Sequence, residues 1–301
     1  MFIEEDVMRE KSKKHFIKSG LIFLGCLIII CWTVLPLIWM FISSISPAKH
    51  LLDMDASWFP PHASYERYKS ILLSETIINK GTIVSSPAAV FKRAMFNSIL
   101  VSGITTVISL TVGGFAAYAF ARLSFRFRDK LLMLVMFFQL LPPVSLMIPL
   151  YVIFKKIGII DNMICLVLLY VSFTLAYTIW VMSGYFKSIS ADLENSAMID
   201  GCSRIGAYFR VIVPIAKPGF TAVGILAFLM AWDEFMYALI FMNSQAHKTI
   251  TVAISEFTTK FGVDYGMMMT AGCIATALPV LISVVFQKNI TQGLTMGAVK
   301  E

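Results

Sequence analysis

Six stretches of the chain are apolar and long enough to cross a lipid bilayer as α-helices, for which about 20 residues are needed. They are Leu21–Ser44, Phe96–Ala121, Leu131–Phe154, Met163–Phe186, Phe220–Met242 and Met267–Gln287. The first follows three lysines, as a signal peptide would, but its apolar run is too long for one and no A-x-A-like cleavage site follows it. The pattern therefore predicts an all-α, multi-pass membrane protein with six transmembrane helices, the first of which is a retained anchor.

The composition agrees with a chain that uses lipid as its solvent. Of its 301 residues, 58% are hydrophobic and 14% charged, and the mean hydropathy is +0.78. An average soluble domain has about 25% charged residues, so soluble enzymes and disordered regulators are excluded. The net charge of +7 could suit a nucleic-acid partner, but in membrane proteins Lys and Arg set the orientation. We therefore expect contact with the lipid bilayer and no nucleic-acid partner.

The basic residues predict which side of the membrane each loop occupies. The short segment 121–130 holds Arg122, Arg126, Arg128 and Lys130, and positively charged loops remain in the cytoplasm. Both termini are then cytoplasmic. The resulting organisation is a cytoplasmic segment 1–20, a first transmembrane helix 21–46, a long extracytoplasmic loop 47–95, a five-helix core 96–287 that includes a cytoplasmic loop 187–219, and a cytoplasmic tail 288–301.

The cytoplasmic loop 187–219 carries the signals of two short helices with a sharp bend between them. Ser190 can cap a first helix, whose acidic first turn suits the positive end of the helix dipole. Gly201 favours a stop, because glycine readily takes the left-handed conformation after a helix. Ser203 can begin a second helix through Val213, and the prolines that follow mark the return to the bilayer. The alternative is an ordinary amphipathic connector that lies in the membrane interface.

The same loop resembles a segment of ABC-importer permeases, in which E-A-A is followed by three residues, a glycine, nine residues and I-x-L-P. Gly201 and Pro214 stand at the family's spacing. Asn195, Ser196 and Ala197 occupy the E-A-A positions, so this chain has Asn where the family has Glu. The loop therefore resembles the family's ATPase-coupling segment.

Other stretches resemble the sugar-importer branch of that family, in the same order along the chain. They are Asn97–Ser98, the A-A-Y-A-F-A-R run that ends at Arg122, the W-D-E-F run that begins at Trp232, and the ending Gly293–Lys300. Together they cover Phe96 to Glu301. The resemblance is to the shorter, six-span permease of maltose-type transporters.

This resemblance implies a type I ABC-importer permease fold in a bacterial cell membrane, and a division of labour between subunits. A second permease would complete a heterodimer, two ATP-binding subunits would hold ATP and Mg, and an extracytoplasmic solute-binding protein would deliver a sugar or oligosaccharide. The chain itself contains no G-x-x-x-x-G-K-[ST] phosphate loop. We therefore expect it to be no enzyme and to bind no cofactor.

The resemblance also assigns residues to the contact with the ATP-binding subunits. The coupling residues are Glu194, Asn195, Ser196, Ala197, Asp200, Gly201 and Pro214. Glu194 and Asp200 are expected at the rim of that contact, where a charge contributes less than the backbone turn. The tail residues expected to reach the ATPase dimer are Gly293, Gly297 and Lys300.

Polar and aromatic residues in the spans are candidates for the translocation path. These candidates are Gln139, Tyr177, Trp232, Asp233 and Glu234. Carboxylates within an apolar span are costly, about 2.5–3.5 kcal/mol on insertion scales, so Asp233 and Glu234 should face the bundle or a cavity. The alternative is a structural tie to a helix end or to the partner permease. Gln139 precedes two prolines and marks an expected bend in the third span.

No metal site is expected, because the five cysteines form no CxxC pair and the four histidines are scattered outside the spans. Other classes of function remain as alternatives. An importer for a non-sugar solute would share every motif above, whereas an ion-coupled secondary transporter should show inverted repeats, and none is visible. The sugar cannot be read from the sequence, although the first external loop carries an apparent extra segment, Leu72–Arg93.

Overall fold

The computed structural model describes residues 2–52, 58, 60, 62–73, 78–79, 82–83, 87–259 and 262–298. Over these ranges the chain is mostly helical, with two small antiparallel hairpins outside the long helices. The long helices are α1 (Phe2–Ile45), α4 (Pro87–Arg122), α7 (Met163–Ser188) and α14 (Tyr265–Ala298). The all-α prediction is confirmed.

Among the described residues, four helices are individually long and apolar enough to span a membrane, and two further pairs of helices pass the same test together. The pairs are bent by 91° and 78° at short breaks, and counting each as one span gives six. Most large side chains in the apolar part of α1 are exposed, as expected for a helix surrounded by lipid.

The third predicted span is a bent pair, α5 (Arg128–Gln139) and α6 (Pro143–Ile157), which meet at 91°. The break falls at Pro142 and Pro143, because proline removes a backbone donor and disfavours helix in the residue before it. The amide of Leu140 bonds to the carbonyl oxygen of Phe137 at 3.0 Å and closes α5 tightly. The bend expected next to Gln139 is therefore confirmed.

The fifth predicted span is not one continuous helix, which corrects the expectation that Asp233 and Glu234 lie within it. Helix α11 (Lys217–Trp232) ends before Asp233, and a separate helix α12 (Met236–Phe241) follows. The side chain of Glu234 accepts the first free amides of α12 and thus starts a new helix there. The 78° pair consists of the stretch Arg204–Ile215 and α11.

The core of the bundle is formed by α4, which packs along α7, and by α11, which packs against α4, α7 and α14. Helix α1 lies on the outside against α14. Buried apolar side chains form three clusters, one centred on Tyr170 and Phe241, one on Met182 and Tyr208, and one around Trp232.

The segments predicted to be extracytoplasmic contain short elements. Helices α2 (Ala48–Leu52) and α3 (Glu66–Leu73) follow the first span, and strands β1 (Ile78–Asn79) and β2 (Thr82–Ile83) pair antiparallel. Helix α13 (Ile250–Ser255) precedes the antiparallel pair β3 (Thr258–Thr259) and β4 (Gly262–Val263). Helix α4 begins at Pro87, before the predicted start of the second span at Phe96, so its first turns precede the apolar stretch.

Candidate functional site

The loop 187–219 folds as two helical stretches with a sharp bend, as its sequence predicts. Helix α8 (Ala191–Ile199) begins at Ser190, whose Oγ accepts the amide hydrogen of Asp192 at 3.2 Å. The second stretch begins at Ser203, whose Oγ accepts the amide hydrogen of Gly206 at 3.1 Å. Each serine satisfies an amide that the first turn of a helix leaves without a partner. We call the two stretches, 191–199 and 204–215, the coupling helix pair.

The bend depends on Gly201, whose φ is +90°. The amide of Gly201 bonds to the carbonyl oxygen of Met198 at 3.1 Å, and the amide of Cys202 bonds to that of Ala197 at 3.0 Å. These are the two hydrogen bonds of a Schellman motif, which closes a helix through a residue in the left-handed region. A Cβ atom at Gly201 would meet nothing within 4 Å in the part of the chain that the structure describes. Glycine is therefore required here for backbone conformation and not for room inside the permease.

The second stretch is helical throughout but changes its winding. It runs from α9 (Arg204–Ala207) through a π-helical turn (Tyr208–Ile212) into α10 (Val213–Ile215). The predicted helix through Val213 is confirmed, whereas the π-helical turn was not foreseen. Such turns accommodate an extra residue and recur at functional sites. Pro214, which supplies no amide hydrogen, is exposed just beyond this turn.

The π-helical turn is fixed to the bundle by aromatic packing around Tyr208. Its ring lies 4.9 Å from that of Tyr118 and 5.0 Å from that of Phe115, measured between centroids. Gly114 makes this contact possible, since a Cβ there would approach Tyr208 Oη to 3.1 Å and the Phe220 ring to 3.0 Å.

The coupling residues assigned by resemblance divide into exposed and buried groups. Asn195, Ser196, Asp200, Gly201 and Pro214 are exposed, and Ala197 is partly buried. The exposed residues are accessible to a partner on the predicted cytoplasmic side.

Glu194 departs from its expected place at the rim of this surface, because only 4% of its surface is exposed. Its Oε1 accepts a hydrogen bond from the Tyr118 hydroxyl, and its Oε2 lies 3.2 Å from Arg122 Nε. A carboxylate is buried at acceptable cost only when it is paired in this way, and removal of one partner of a buried pair costs about 3–5 kcal/mol. The expectation of a rim charge is therefore wrong: Glu194 ties α8 to the end of α4. The sequence alone did not identify Tyr118 and Arg122 as its partners.

The five path candidates do not form one site. Gln139 lines a cavity of about 410 Å³ at the bend of the third span, together with Phe138, Ser172, Phe173 and Tyr237. Tyr177 is partly buried and packs against the cluster around Met182. Trp232 is 3% exposed and stacks on Phe228, which places it in the interior of this conformation.

The two carboxylates of the fifth span differ in their surroundings. Asp233 is exposed, whereas Glu234 accepts hydrogen bonds from the amides of Tyr237 at 2.8 Å and Ala238 at 3.2 Å. Glu234 also accepts one from the Tyr170 hydroxyl at 2.7 Å. Of the two readings that the sequence left open for Glu234, the structure thus favours the tie to a helix end.

Tail residues Gly293 and Gly297 lie within α14, which continues to Ala298. The predicted boundary between the last span and a separate tail at residue 288 is therefore not a break in the helix. Lys300 lies outside the described residues.

Comparison with known proteins supports the class of protein that these features indicate. The family model described as "Binding-protein-dependent transport system inner membrane component" matches residues 109–296. Because this is more than half of the chain, the protein belongs to that family and is an inner-membrane permease component of a transport system.

Relatives extend the similarity over nearly the whole chain. The sulfoquinovosyl glycerol transport system permease protein SmoH of Agrobacterium fabrum is 32% identical over 92% of this chain and 93% of its own length. The trehalose transport system permease protein SugB of Mycobacterium tuberculosis is 34% identical over 91% of this chain and 94% of its own length. The trehalose/maltose transport system permease protein MalG of Thermococcus litoralis is 30% identical over 96% of this chain and 99% of its own length.

A solved structure shows the same fold. The match is to a chain from the crystal structure of a bacterial ABC transporter involved in the import of the acidic polysaccharide alginate. It has a TM-score of 0.71 and 23% identity, and it covers 92% of this chain and 97% of the other. The predicted ABC-importer permease fold is therefore confirmed.

Proposed function

We propose that the protein is the permease subunit of an ATP-driven importer that takes up a sugar or oligosaccharide. The substrate class is supported by the relatives, whose names specify sulfoquinovosyl glycerol, trehalose and maltose. An extracytoplasmic solute-binding protein delivers the substrate. A second, longer permease completes the path as a heterodimer, and two ATP-binding subunits hold the ATP and Mg that drive the cycle.

The observation that carries this proposal is the coupling helix pair. Its bend, with a capped helix before it, faces the predicted cytoplasmic side, and Asn195, Ser196 and Gly201 are exposed there. A rigid element is suited to passing on a rigid-body motion, whereas a flexible loop would absorb it. The exposed residues dock on an ATP-binding subunit, and closure of the ATPase dimer moves the pair.

Within the membrane, Gln139 is the path candidate with the strongest support. Its cavity combines aromatic rings with hydrogen-bonding groups of Ser172 and Tyr237, as carbohydrate sites do. Glu234 supports the path indirectly, since it holds the start of α12 next to Tyr237. Trp232 is buried and Tyr177 partly buried, so these two contact substrate only in another conformation of the transporter, whereas Asp233 is already exposed.

The proposal is tested by uptake into proteoliposomes that contain the complete transporter. Labelled trehalose, maltose and a non-sugar solute are compared, with ATP inside and binding protein outside. We expect uptake of a glycoside that requires both ATP and binding protein and that persists when an ionophore collapses the proton gradient. Uptake that needs the gradient and not ATP would instead indicate a secondary transporter.

Subunit composition is checked on the same preparation by native mass spectrometry. The expected assembly contains one copy of this chain, one longer permease and two ATP-binding subunits. A transport-active assembly with two copies of this chain and no second permease would contradict the heterodimer. A preference for the non-sugar solute would leave the ATP-driven mechanism but overturn the substrate class.

A further inference from the structure

Helix α4 is held by polar contacts at two places, its cytoplasmic end and the start of its apolar part at Asn97 and Ser98. At the cytoplasmic end, Arg122 and Tyr118 hold the buried carboxylate of Glu194 on α8. Arg122 Nη2 also donates a hydrogen bond of 2.8 Å to the carbonyl oxygen of Ile189, two residues before α8 begins. The start of α8 is therefore joined to α4 by three polar contacts.

The outer end of the apolar part of α4, which begins some turns after Pro87, is clamped in a similar manner to the segment between α12 and α13 and to the first residue of α13. Asn97 Nδ2 donates to the carbonyl oxygens of Ala246 and Lys248, both at 2.9 Å. Ser98 Oγ accepts the amide hydrogen of Ile250 at 2.8 Å. Asn97 and Ser98 are each 2% exposed, so these bonds are shielded from competition with water.

We expect the part of α4 between the two clamps to be rigid and without a kink. Of the four helices that individually span the membrane, α1 and α14 contain an internal proline, whereas α4 and α7 do not. Proline is the common cause of a kink. Helix α4 also packs along α7, with Gly113 in close contact with Thr178. From Asn97 to Arg122 it covers about 38 Å at 1.5 Å per residue.

We propose that α4 is a transmission rod: Glu194, Arg122 and Tyr118 lock the coupling helix pair to its cytoplasmic end, and Asn97 and Ser98 lock its outer end to residues 246–250. A displacement of α8 then moves α4 as a unit and shifts the extracytoplasmic segment. Glu194 and Asn97 are positioning residues in this scheme, since neither needs to touch the substrate or the ATP-binding subunit. The inference rests on the proposed function.

The buried charge of Glu194 distinguishes the attachment of α8 to α4 from ordinary apolar packing between helices. Asp192 and Asp200, on and just after the same helix, are exposed and need no partner. Glu194 alone of the three is buried, and its ion pair with Arg122 makes separation of α8 from α4 costly, because it would leave both charges unpaired. When both charges are removed, no unpaired charge remains, so the double variant should be less impaired than either single variant.

The test measures the number of solute molecules transported per ATP hydrolysed, using purified complete transporter in proteoliposomes. Glu194→Gln and Arg122→Gln should each lower this ratio at least five-fold, while the ATP-binding subunit still copurifies. Asp192→Asn, which removes an exposed charge from the same helix, is the matched control and should leave the ratio unchanged. The double variant Glu194→Gln/Arg122→Gln should recover at least half of the loss.

A second arm tests transmission to the outer end. Asn97→Ala alone should lower the ratio, and its combination with Glu194→Gln should be no worse than the stronger single variant, because one broken clamp already uncouples the rod. Fully multiplicative effects would overturn the rod and leave two independent local ties. Should Glu194→Gln fail to assemble, Tyr118→Phe removes only the hydroxyl and should lower the ratio about two-fold.

The outcomes separate this inference from the proposed function. If the wild-type chain neither binds an ATP-binding subunit nor transports, the proposed function fails. If wild type couples normally and assembled Glu194→Gln or Tyr118→Phe transports as many molecules per ATP as wild type, only the rod is wrong. A merely structural role for Glu194 would lower the yield of complex without changing the ratio.

Discussion

The amide of Cys202 donates a 3.0 Å hydrogen bond to the carbonyl oxygen of Ala197, across the bend of the coupling helix pair. This bond forms only while Gly201 keeps its positive φ. The shape of the exposed surface therefore depends on a single backbone conformation. Several consequences of this and of the surrounding packing can be measured.

Gly113 and Gly103 offer a matched pair of substitutions on α4. A Cβ at Gly113 would lie 2.7 Å from Cγ2 of Thr178, whereas one at Gly103 would meet nothing within 4 Å. Gly113→Ala should destabilise the permease by about 1–3 kcal/mol through overpacking. Gly103→Ala should be neutral or stabilising by about 0.5–1 kcal/mol, since alanine favours helix. In detergent, followed by fluorescence-detected gel filtration, the melting temperature should fall for Gly113→Ala and stay unchanged or rise for Gly103→Ala; equal shifts would contradict the close contact of α4 with α7.

Asp161, in the predicted extracytoplasmic loop between the third and fourth spans, holds the segment after α12. It has a φ of +59°, and its Oδ1 accepts the amide hydrogens of Asn243 and Ser244, both at 3.0 Å. Asp161→Ala should lose these bonds and strain the backbone, whereas Asp161→Asn keeps an acceptor and tolerates the conformation. The alanine variant should therefore melt at a lower temperature than the asparagine variant. Similar melting temperatures would indicate that neither the bonds nor the strain matters.

The same residue predicts a pH dependence. Burial alone would raise the pKa of Asp161, but the hydrogen bonds from Ser244 and Asn243 and the nearby His247 lower it below its ordinary value. A lowered pKa in the folded state stabilises the fold fully above the unfolded pKa of about 3.9. The stabilisation is lost as the pH falls through the lower, folded pKa. The difference in melting temperature between wild type and Asp161→Asn should shrink as the pH falls below about 4; a difference that stays the same or grows there would contradict this assignment.

The tail is predicted to act on the ATPase subunits and not on membrane insertion. Deletion of residues 292–301 removes the end of α14 and Lys300 but leaves the apolar part of the span, which ends at Thr291. We expect normal insertion and a several-fold loss of transport-coupled ATP hydrolysis. Deletion of residues 299–301 alone separates the contribution of Lys300 from that of Gly293 and Gly297. Unchanged coupling after the longer deletion would favour a frayed end without function.

Local signals in the sequence were sufficient to predict the spans and the two helices of the loop 187–219. The caps at Ser190 and Ser203, the stop at Gly201 and the bend next to Gln139 each depend on a few neighbouring residues, and all were predicted. The apolar stretches likewise predicted six spans, because lipid imposes a minimum length on each helix.

Features that depend on distant partners could not be predicted. Glu194 is an acidic residue in the first turn of a helix, where such residues are usually exposed. Its burial depends on Tyr118 and Arg122, which lie far away in the sequence. The break at Asp233–Phe235 was missed for a similar reason, since Tyr170 on another helix helps to hold Glu234 in place. The π-helical turn at Tyr208 depends on the room left by Gly114 on α4.

The central claim is that the bend at Gly201 transmits ATP-driven motion, and one series of variants tests it most directly. Gly201→Asn places a residue that tolerates positive φ, whereas Gly201→Val adds a β-branched side chain that costs about 1–2 kcal/mol in that conformation. Among the described residues, no atom lies within 4 Å of a Cβ built at Gly201, so we expect the two variants to differ chiefly in backbone strain.

The measurement is ATP hydrolysis by the reconstituted transporter, with and without binding protein and sugar, beside a pull-down of the ATP-binding subunit. We predict that Gly201→Val abolishes the stimulation of hydrolysis by loaded binding protein, and that Gly201→Asn retains most of it. Normal subunit binding and normal stimulated hydrolysis in Gly201→Val would contradict the coupling role and leave the loop as a connector.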